Sequence, residues 1–256
     1  MARWTELGEQ LDRQLKLRTA PLGVKLLPRA EDAPDGTSRP GFTCAVCQAT
    51  GIARYYNRAV LVTKEDGWAC QVGGAALGFW EVEEDFKTGE RNAGMWAADA
   101  QATAKLVEGD AIPAGSFEAA IISPLSKLAV EPDTVLVYGN PDQMLALVYG
   151  VVWRGGDRVK LITNGHGSTC RECIAAPYLH RELRLAITDI GERKFALAYD
   201  YEMVAGLPYD QLGELVEAMG EAQTKGIYGR PIAPWGFQAW PEAALHRTGL
   251  RGRQRT

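Results

Sequence analysis

The sequence predicts an α/β or α+β fold: a single domain in which a mixed β-sheet is flanked by helices. Short apolar, β-branched runs alternate with helical runs along most of the chain. Its 256 residues, 46% hydrophobic and 23% charged, are enough to bury a substantial core. No stretch approaches ~20 consecutive apolar residues, so we expect no contact with a membrane.

The first half predicts four helices and two strands. Leu7, Leu11, Leu15 and Leu17 recur at roughly helical spacing and predict a first helix that ends at about Leu17. The run "PLGVKLLP" predicts a buried strand, and "TCAVCQATGIARYYN" a helix with Thr43 as its N-cap. The strand "RAVLVT", a small-residue helix "ACQVGGAALGFWE" and a helix around "AADAQATAKLVE" follow.

The second half repeats this alternation. We expect strands at "FEAAIISPL", "DTVLVYG", "RVKLIT", "ELRLAIT" and "KFALAYDYEMVAGLP". Helices are predicted at "NPDQMLALVYGVVWRGG", with Asn140 as N-cap, at "STCRECIAAPYLHR" and at "YDQLGELVEAMGEAQ". Both halves read helix, strand, turn, cysteine and small-residue helix, which indicates a diverged internal duplication.

Residues 1–235 are predicted to form the domain, and residues 236–256 a C-terminal extension that is basic and flexible at its end. The net charge of −4 and a pI near 5.5 give no basic face for nucleic acid. No apolar leader is visible at the start of the sequence. Five cysteines without an export signal favour a reducing cytoplasm, where thiols more often serve metals or catalysis than disulfides.

The five cysteines fall in three places, each at a predicted helix start: Cys44 with Cys47, Cys70, and Cys170 with Cys173. Helix starts that follow strands collect at one edge of an α/β sheet, where ligands bind. The segment "TCRE" has the form of a capping box between Thr169 and Glu172, which would put Cys170 at the first helical position. Free amides and the positive helix end favour a thiolate there.

Three interpretations of these thiols are open. If the three cysteine-bearing helix starts converge at one edge of the sheet, their thiols would suit an anionic iron–sulfur cluster. The pairs Cys44/Cys47 and Cys170/Cys173 would suit a structural zinc ion, although more than 120 residues separate them. The cysteines could also be small buried packing residues without a metal.

Four polar residues are candidates for the wall of an open ligand site: Gln48, Asn164, His166 and Ser168. His166 lies in the glycine turn "NGHG" before Cys170 and is the candidate catalytic residue, as a proton donor or a fourth ligand. The same turn lacks the full dinucleotide-binding fingerprint, so the sequence does not support NAD.

Several stretches carry a family resemblance: "PLGVKLLP", "CQATGIA", "ACQVGGAALGF", "CRECIAAPYL", "VLVYGNPDQMLALV" and "FALAYDYEMVAGLPYDQLGELVEAM". In these the chain resembles the DUF169 proteins, an uncharacterised family of archaea and of anaerobic or facultative bacteria. The resemblance implies no activity. It selects Cys47, Cys70 and Cys170 as the cofactor and metal ligands, and leaves Cys44 and Cys173 as candidates for further ligands.

Three thiolates on a [4Fe–4S] cluster leave one iron open to a small molecule or to redox chemistry. As an enzyme, the protein would be a cluster-dependent lyase or desulfidase, or an oxidoreductase. The alternative is a zinc-binding structural protein, or a small-molecule-binding protein, without catalysis. A small-molecule ligand, a redox partner protein and a homo-oligomer are the expected partners.

Overall fold

A seven-stranded sheet forms the centre of the chain, which the computed structural model describes over residues 2–225. The strands are β1 (Leu22–Leu27), β2 (Val60–Thr63), β3 (Ala119–Pro124), β4 (Thr134–Gly139), β5 (Lys160–Leu161), β6 (Arg184–Ile187) and β7 (Met203–Pro208). Their order across the sheet is β2-β3-β1-β4-β7-β6-β5. Neighbouring strands are antiparallel except β5 and β6, which run parallel, so the sheet is mixed as predicted.

Nine α-helices and a π-helix accompany the sheet within residues 2–225. They are α1 (Arg3–Leu15), α2 (Val46–Tyr56), α3 (Gln71–Ala76), α4 (Glu84–Lys87), α5 (Ala100–Val107), α6 (Pro141–Gly155), the π-helix (Ser168–Ala175), α7 (Ala176–His180), α8 (Ile190–Phe195) and α9 (Leu212–Lys225). This confirms the predicted fold class, a single α/β domain with a mixed sheet between helices. None of these helices is both long and apolar enough to cross a membrane.

Side chains of alternating strand residues build a core on each face of the sheet. In β4, Leu136 and Tyr138 belong to the core under α2, α3 and the π-helix. Val135 and Val137 belong to the opposite core, with α1, α6 and α9. The layer formed by α2, α3 and the π-helix carries all five cysteines.

Several predicted boundaries were wrong. The first helix ends at Leu15 because Lys16 takes a left-handed conformation, with φ of +54°. Helix α2 begins after Ala45 rather than after Thr43. The strand predicted at 158–163 pairs only over Lys160–Leu161, where both residues are exposed.

Two further segments differ in type. The strand predicted at 194–208 contains the end of α8 and a loop, and pairs only as β7. The helix predicted at 69–81 is helical only over Gln71–Ala76, and Gly78 then turns with φ of +79°. The extension predicted at 236–256, and the end of the predicted 1–235 domain, lie outside the described residues. The internal duplication stays a prediction.

Candidate functional site

The beginnings of α2, α3, the π-helix and α8 surround a cavity of about 650 Å³. A loop before α5 and part of α5 complete its wall. The cavity is lined by the thiols of Cys47, Cys70 and Cys170 and by the polar side chains of Gln48, His166, Thr169, Asp189 and Lys194. Three thiols from three distant segments of the sequence therefore reach the same space.

Cys47 and Cys70 are held at the starts of α2 and α3, and both are half-buried. Cys47 is the second residue of α2. Cys70 is the N-cap of α3, and its Sγ accepts a hydrogen bond from the backbone N–H of Gly73 at 3.3 Å. A Cβ at Gly73 would lie 3.4 Å from this sulfur, so a bulkier residue there would crowd the thiol.

Cys170 is the third residue of the π-helix and is 8% exposed. Gly165 and Gly167 lead into the helix with φ of +84° and +75°, a conformation that glycine adopts readily. The π-helical bond from the N–H of Glu172 to the carbonyl of Gly167 spans five residues. Such wide turns occur frequently at functional sites.

The predicted capping box between Thr169 and Glu172 is wrong. It assumed that the helix starts at Cys170, whereas the helix begins two residues earlier, after Gly167. The N–H of Glu172 therefore donates within the helix, and the hydroxyl of Thr169 donates to the carboxylate of Glu192.

Cys44 and Cys173 are fully buried and do not line the cavity. The Sγ atom of Cys173 lies 3.5 Å from the carbonyl oxygen of Val204, and so faces the sheet. Cys44 precedes the N-cap of α2, with its Sγ 3.4 Å from the carbonyl oxygen of Ala45. The structure thus separates these two thiols from the three that share the cavity.

Burial raises the pKa of every cysteine thiol, to about 12 for Cys44 and well above the usual range for Cys47 and Cys173. The pKa values of Cys70 and Cys170 are raised by burial too. The N–H at the start of α3 lowers the pKa of Cys70, but burial outweighs it. At Cys70 burial thus outweighs the effect of the helix start, and ionisation of the cavity thiols on binding a group stays a prediction.

Of the predicted pocket residues, Gln48 and His166 line the cavity, and Asn164 and Ser168 do not. The Oδ1 atom of Asn164 accepts a hydrogen bond from the N–H of His166 at 3.0 Å and shapes the turn. The hydroxyl of Ser168 donates to the carbonyl of Ile187 at 2.7 Å. These two side chains therefore support the wall from behind.

The ring of His166 stacks on Trp96, with centroids 4.8 Å apart and an angle of 27° between the planes. Burial lowers the pKa of His166, so its imidazole is neutral at neutral pH. Trp96 and the 69% exposed Met95 come from a loop that no local sequence pattern marks as functional. Neither residue was predicted from the sequence.

Asp189 links the starts of the π-helix and α8. Its Oδ2 atom accepts a hydrogen bond from the N–H of Ser168 at 3.0 Å, and its Oδ1 atom from the N–H of Glu192 at 2.8 Å. The Glu192 carboxylate in turn accepts from the N–H of Asp189. This capping box was readable in the sequence and could have predicted α8, which the sequence analysis also missed.

Thr169 connects the cavity wall to a buried polar cluster. The hydroxyls of Thr169 and Tyr138 both donate to Oε1 of Glu192, the second over 2.9 Å. The hydroxyl of Thr50 lies 3.2 Å from that of Tyr138. Burial raises the pKa of Glu192 to about 7.

The three cavity thiols are close enough for charge on one to raise the pKa of another. Within residues 2–225, however, no group of three or more His, Cys, Asp or Glu side chains is placed to hold a metal ion. The thiols thus share the cavity without converging on one point.

Fold and site together define an α/β protein with a thiol-lined cavity at the starts of its helices. The chain belongs to DUF169, a family described as "Uncharacterised ArCR", whose match spans residues 10–218. The uncharacterized protein MJ0308 of Methanocaldococcus jannaschii is 28% identical over 202 residues, which cover 77% of this chain and 85% of that protein. No solved structure matches the chain.

Proposed function

We propose that this protein binds an iron–sulfur cluster through Cys47, Cys70 and Cys170 and exposes it to a small molecule in the cavity. One observation carries the proposal: these three thiols, from three segments far apart in sequence, line a single cavity of about 650 Å³. All five cysteines are free, so no disulfide competes for the sulfurs. Such free thiols also agree with a cytoplasmic location.

The donor set suits a cluster better than a single ion. A zinc ion needs its ligands about 2.0–2.3 Å away around one point, and the cavity thiols do not converge in that way. A cluster is a body of several atoms, so its cysteine ligands approach it from different sides. When bound, it would supply an iron with an open coordination position, or electrons.

The chain contributes the surroundings of that position. His166, neutral and held against Trp96, offers a ring nitrogen near the thiols. Lys194 lies at the rim, exposed to solvent. Because burial raises the thiol pKa values, loading a metal must release the thiol protons, and binding should strengthen as pH rises.

The protein's reaction, if it is an enzyme, would be a cluster-dependent lyase, desulfidase or oxidoreductase reaction on a small molecule. The structural-zinc alternative uses Cys44 and Cys173 with Cys47 and Cys170. It is less favoured because Cys173 faces the sheet and Cys44 lies outside the cavity.

The test is iron and acid-labile sulfide content, with a visible spectrum, after purification without oxygen and after reconstitution. Cys47→Ser, Cys70→Ser and Cys170→Ser should each lose most of the bound iron and sulfide. Cys44→Ser and Cys173→Ser are matched controls, because both replace a buried thiol outside the cavity. Wild-type protein without iron and sulfide would refute the proposal, and zinc that is insensitive to Cys70→Ser would support the alternative.

A further inference from the structure

Arg171 follows Cys170 in the π-helix and is only 3% exposed. The two other buried arginines of residues 2–225 pair with carboxylates: Arg54 with Glu202, and Arg184 with Glu182. Arg171 forms no such ion pair within the described chain. A buried guanidinium without a negative partner is costly, because it has lost its hydration.

The hydrogen bonds of Arg171 offset only part of the cost of burying its charge. Its Nη1 donates to the backbone carbonyls of Leu106 and Glu108, at 3.1 and 3.0 Å, at the end of α5. Its buried Nε has no hydrogen-bond partner. Two carboxyl groups, Glu172 and Asp110, interact with Arg171 electrostatically, but neither forms an ion pair with it, and Asp110 is paired with His180 at 2.8 Å.

The position of this side chain is fixed on both sides by glycines. A Cβ at Gly167 would lie 3.0 Å from Cδ of Arg171, and a Cβ at Gly109 3.2 Å from the same atom. The guanidinium is therefore rigidly placed behind the cavity wall, next to Cys170. Negative charge on Cys170 or Cys70 would stabilise this guanidinium, because both sulfurs lie within electrostatic range of it.

We propose that Arg171 is the fixed positive counter-charge for an anionic group held on Cys70 and Cys170. This inference rests on the proposed function, in which three thiolates give the bound group a net negative charge. A positive charge that cannot move away stabilises the more negative, reduced form over the oxidised form. Arg171 is thus a positioning residue: it holds a positive charge beside the bound group. This charge raises the reduction potential of the group, and Arg171 does not contact the small molecule.

The test compares Arg171→Gln, which removes the charge, with Arg171→Lys, which keeps the charge but cannot reproduce the paired hydrogen bonds of the guanidinium. Arg184→Gln is the control for loss of a buried arginine. In anaerobic titration with dithionite, the midpoint potential of Arg171→Gln should be more negative than that of wild type. Arg171→Lys should remain near wild type even where its thermal midpoint falls.

A structural role would give a different result. If both variants shift the potential equally, or if neither shifts it, the counter-charge proposal is overturned while cluster binding stands. Should Arg171→Gln fail to fold, Arg171→Met takes its place as the uncharged variant: a potential more negative than that of Arg171→Lys supports the proposal, and a potential equal to it overturns it.

If wild type forms no cluster, the proposed function fails and the cavity thiols themselves become the probe. Iodoacetate, an anion, and iodoacetamide, its neutral analogue, each react with one thiol at a time, so neither needs the thiols to converge. The ratio of the iodoacetate rate to the iodoacetamide rate at Cys70 and Cys170 should fall about tenfold in Arg171→Gln relative to Arg171→Lys. Equal ratios in the two variants would overturn the role of Arg171 as well.

Discussion

Gly206 of β7 lies directly against the carbonyl of Cys173: a Cβ at this glycine would come within 1.9 Å of that oxygen. The π-helix therefore approaches the sheet backbone to backbone, at a point where no side chain fits. Cys170, one turn earlier in the same helix, reaches the cavity because the helix is seated this deeply.

Gly206→Ala should consequently destabilise the protein by about 3 kcal/mol, because a backbone cannot yield as a flexible side chain can. It should also displace Cys170 and so lower metal binding. Gly220→Ala, in α9, is the control. A Cβ at Gly220 would meet only Nε2 of Gln14, at 3.4 Å, and alanine favours a helix over glycine. Urea unfolding measures the stability of both variants. Equal unfolding midpoints would contradict the close approach of Gly206 to the carbonyl of Cys173.

A second prediction concerns Glu192, whose pKa burial raises from the ordinary value of 4.5 to about 7 in the folded protein. Between these pH values the folded protein holds a proton that the unfolded chain has lost. The free energy of unfolding should therefore fall as pH rises from about 4.5 to 7, by up to about 3 kcal/mol, and remain lower above pH 7.

Glu192→Gln cannot ionise and should flatten this part of the profile. Urea unfolding of wild type and variant is measured at several pH values between 5 and 8. Only the slope of the unfolding free energy against pH is compared, because the amide also changes local hydrogen bonds. Any contribution of His166 to the pH dependence is present in both proteins, so it cancels in the difference between their profiles. Parallel profiles for wild type and variant would show that the carboxyl is already ionised at low pH.

The third prediction tests the buried ion pair of Arg54 and Glu202, whose side chains are 1% and 2% exposed. Arg54 also stacks over the ring of Tyr138, 3.8 Å from its centroid. Glu202→Gln leaves the guanidinium buried beside a neutral amide, so the protein should lose about 3 kcal/mol of stability.

Asp32→Asn is the matched control, because it removes a carboxylate that pairs with Arg29 at the surface. Exposed pairs contribute little, so this variant should unfold at the same urea concentration as wild type. Equal losses for the buried and the exposed pair would mean that Arg54 is hydrated in solution.

The sequence allowed five of the seven strands and several helix ends to be predicted closely because their signals are local. The strand β4 and the N-cap Asn140 of α6 both appeared as expected. The π-helix could not be predicted, since its apolar pattern reads equally well as an α-helix. Its close approach to the sheet involves Gly206, more than 30 residues away.

The candidate site, too, was predictable from the sequence only in part. Placing the cysteines at helix starts was enough to bring Cys47, Cys70 and Cys170 to one cavity. Which thiols turn away depends on the sheet beneath them, as the contact of Cys173 with Val204 shows. Trp96 joins the site through a loop that turns on local hydrogen bonds, among them one from its own N–H to the carbonyl of Asn92, and its ring then stacks on that of His166.

The final prediction concerns the reactivity of the five thiols in metal-free, reduced protein. N-ethylmaleimide at pH 8 should label Cys47 and Cys70 first, because both are half-buried and line the cavity. Cys44 and Cys173 are 0% exposed and should react at least about tenfold more slowly, through unfolding of the surrounding core.

Peptide mass spectrometry of samples taken over time measures each rate. In denaturant all five thiols should react alike, which assigns the native differences to the fold rather than to neighbouring residues in the sequence. Labelling of Cys173 as fast as Cys70 would contradict the separation of these thiols. Because this measurement needs no bound metal, it tests the geometry of the cavity independently of what the cavity holds.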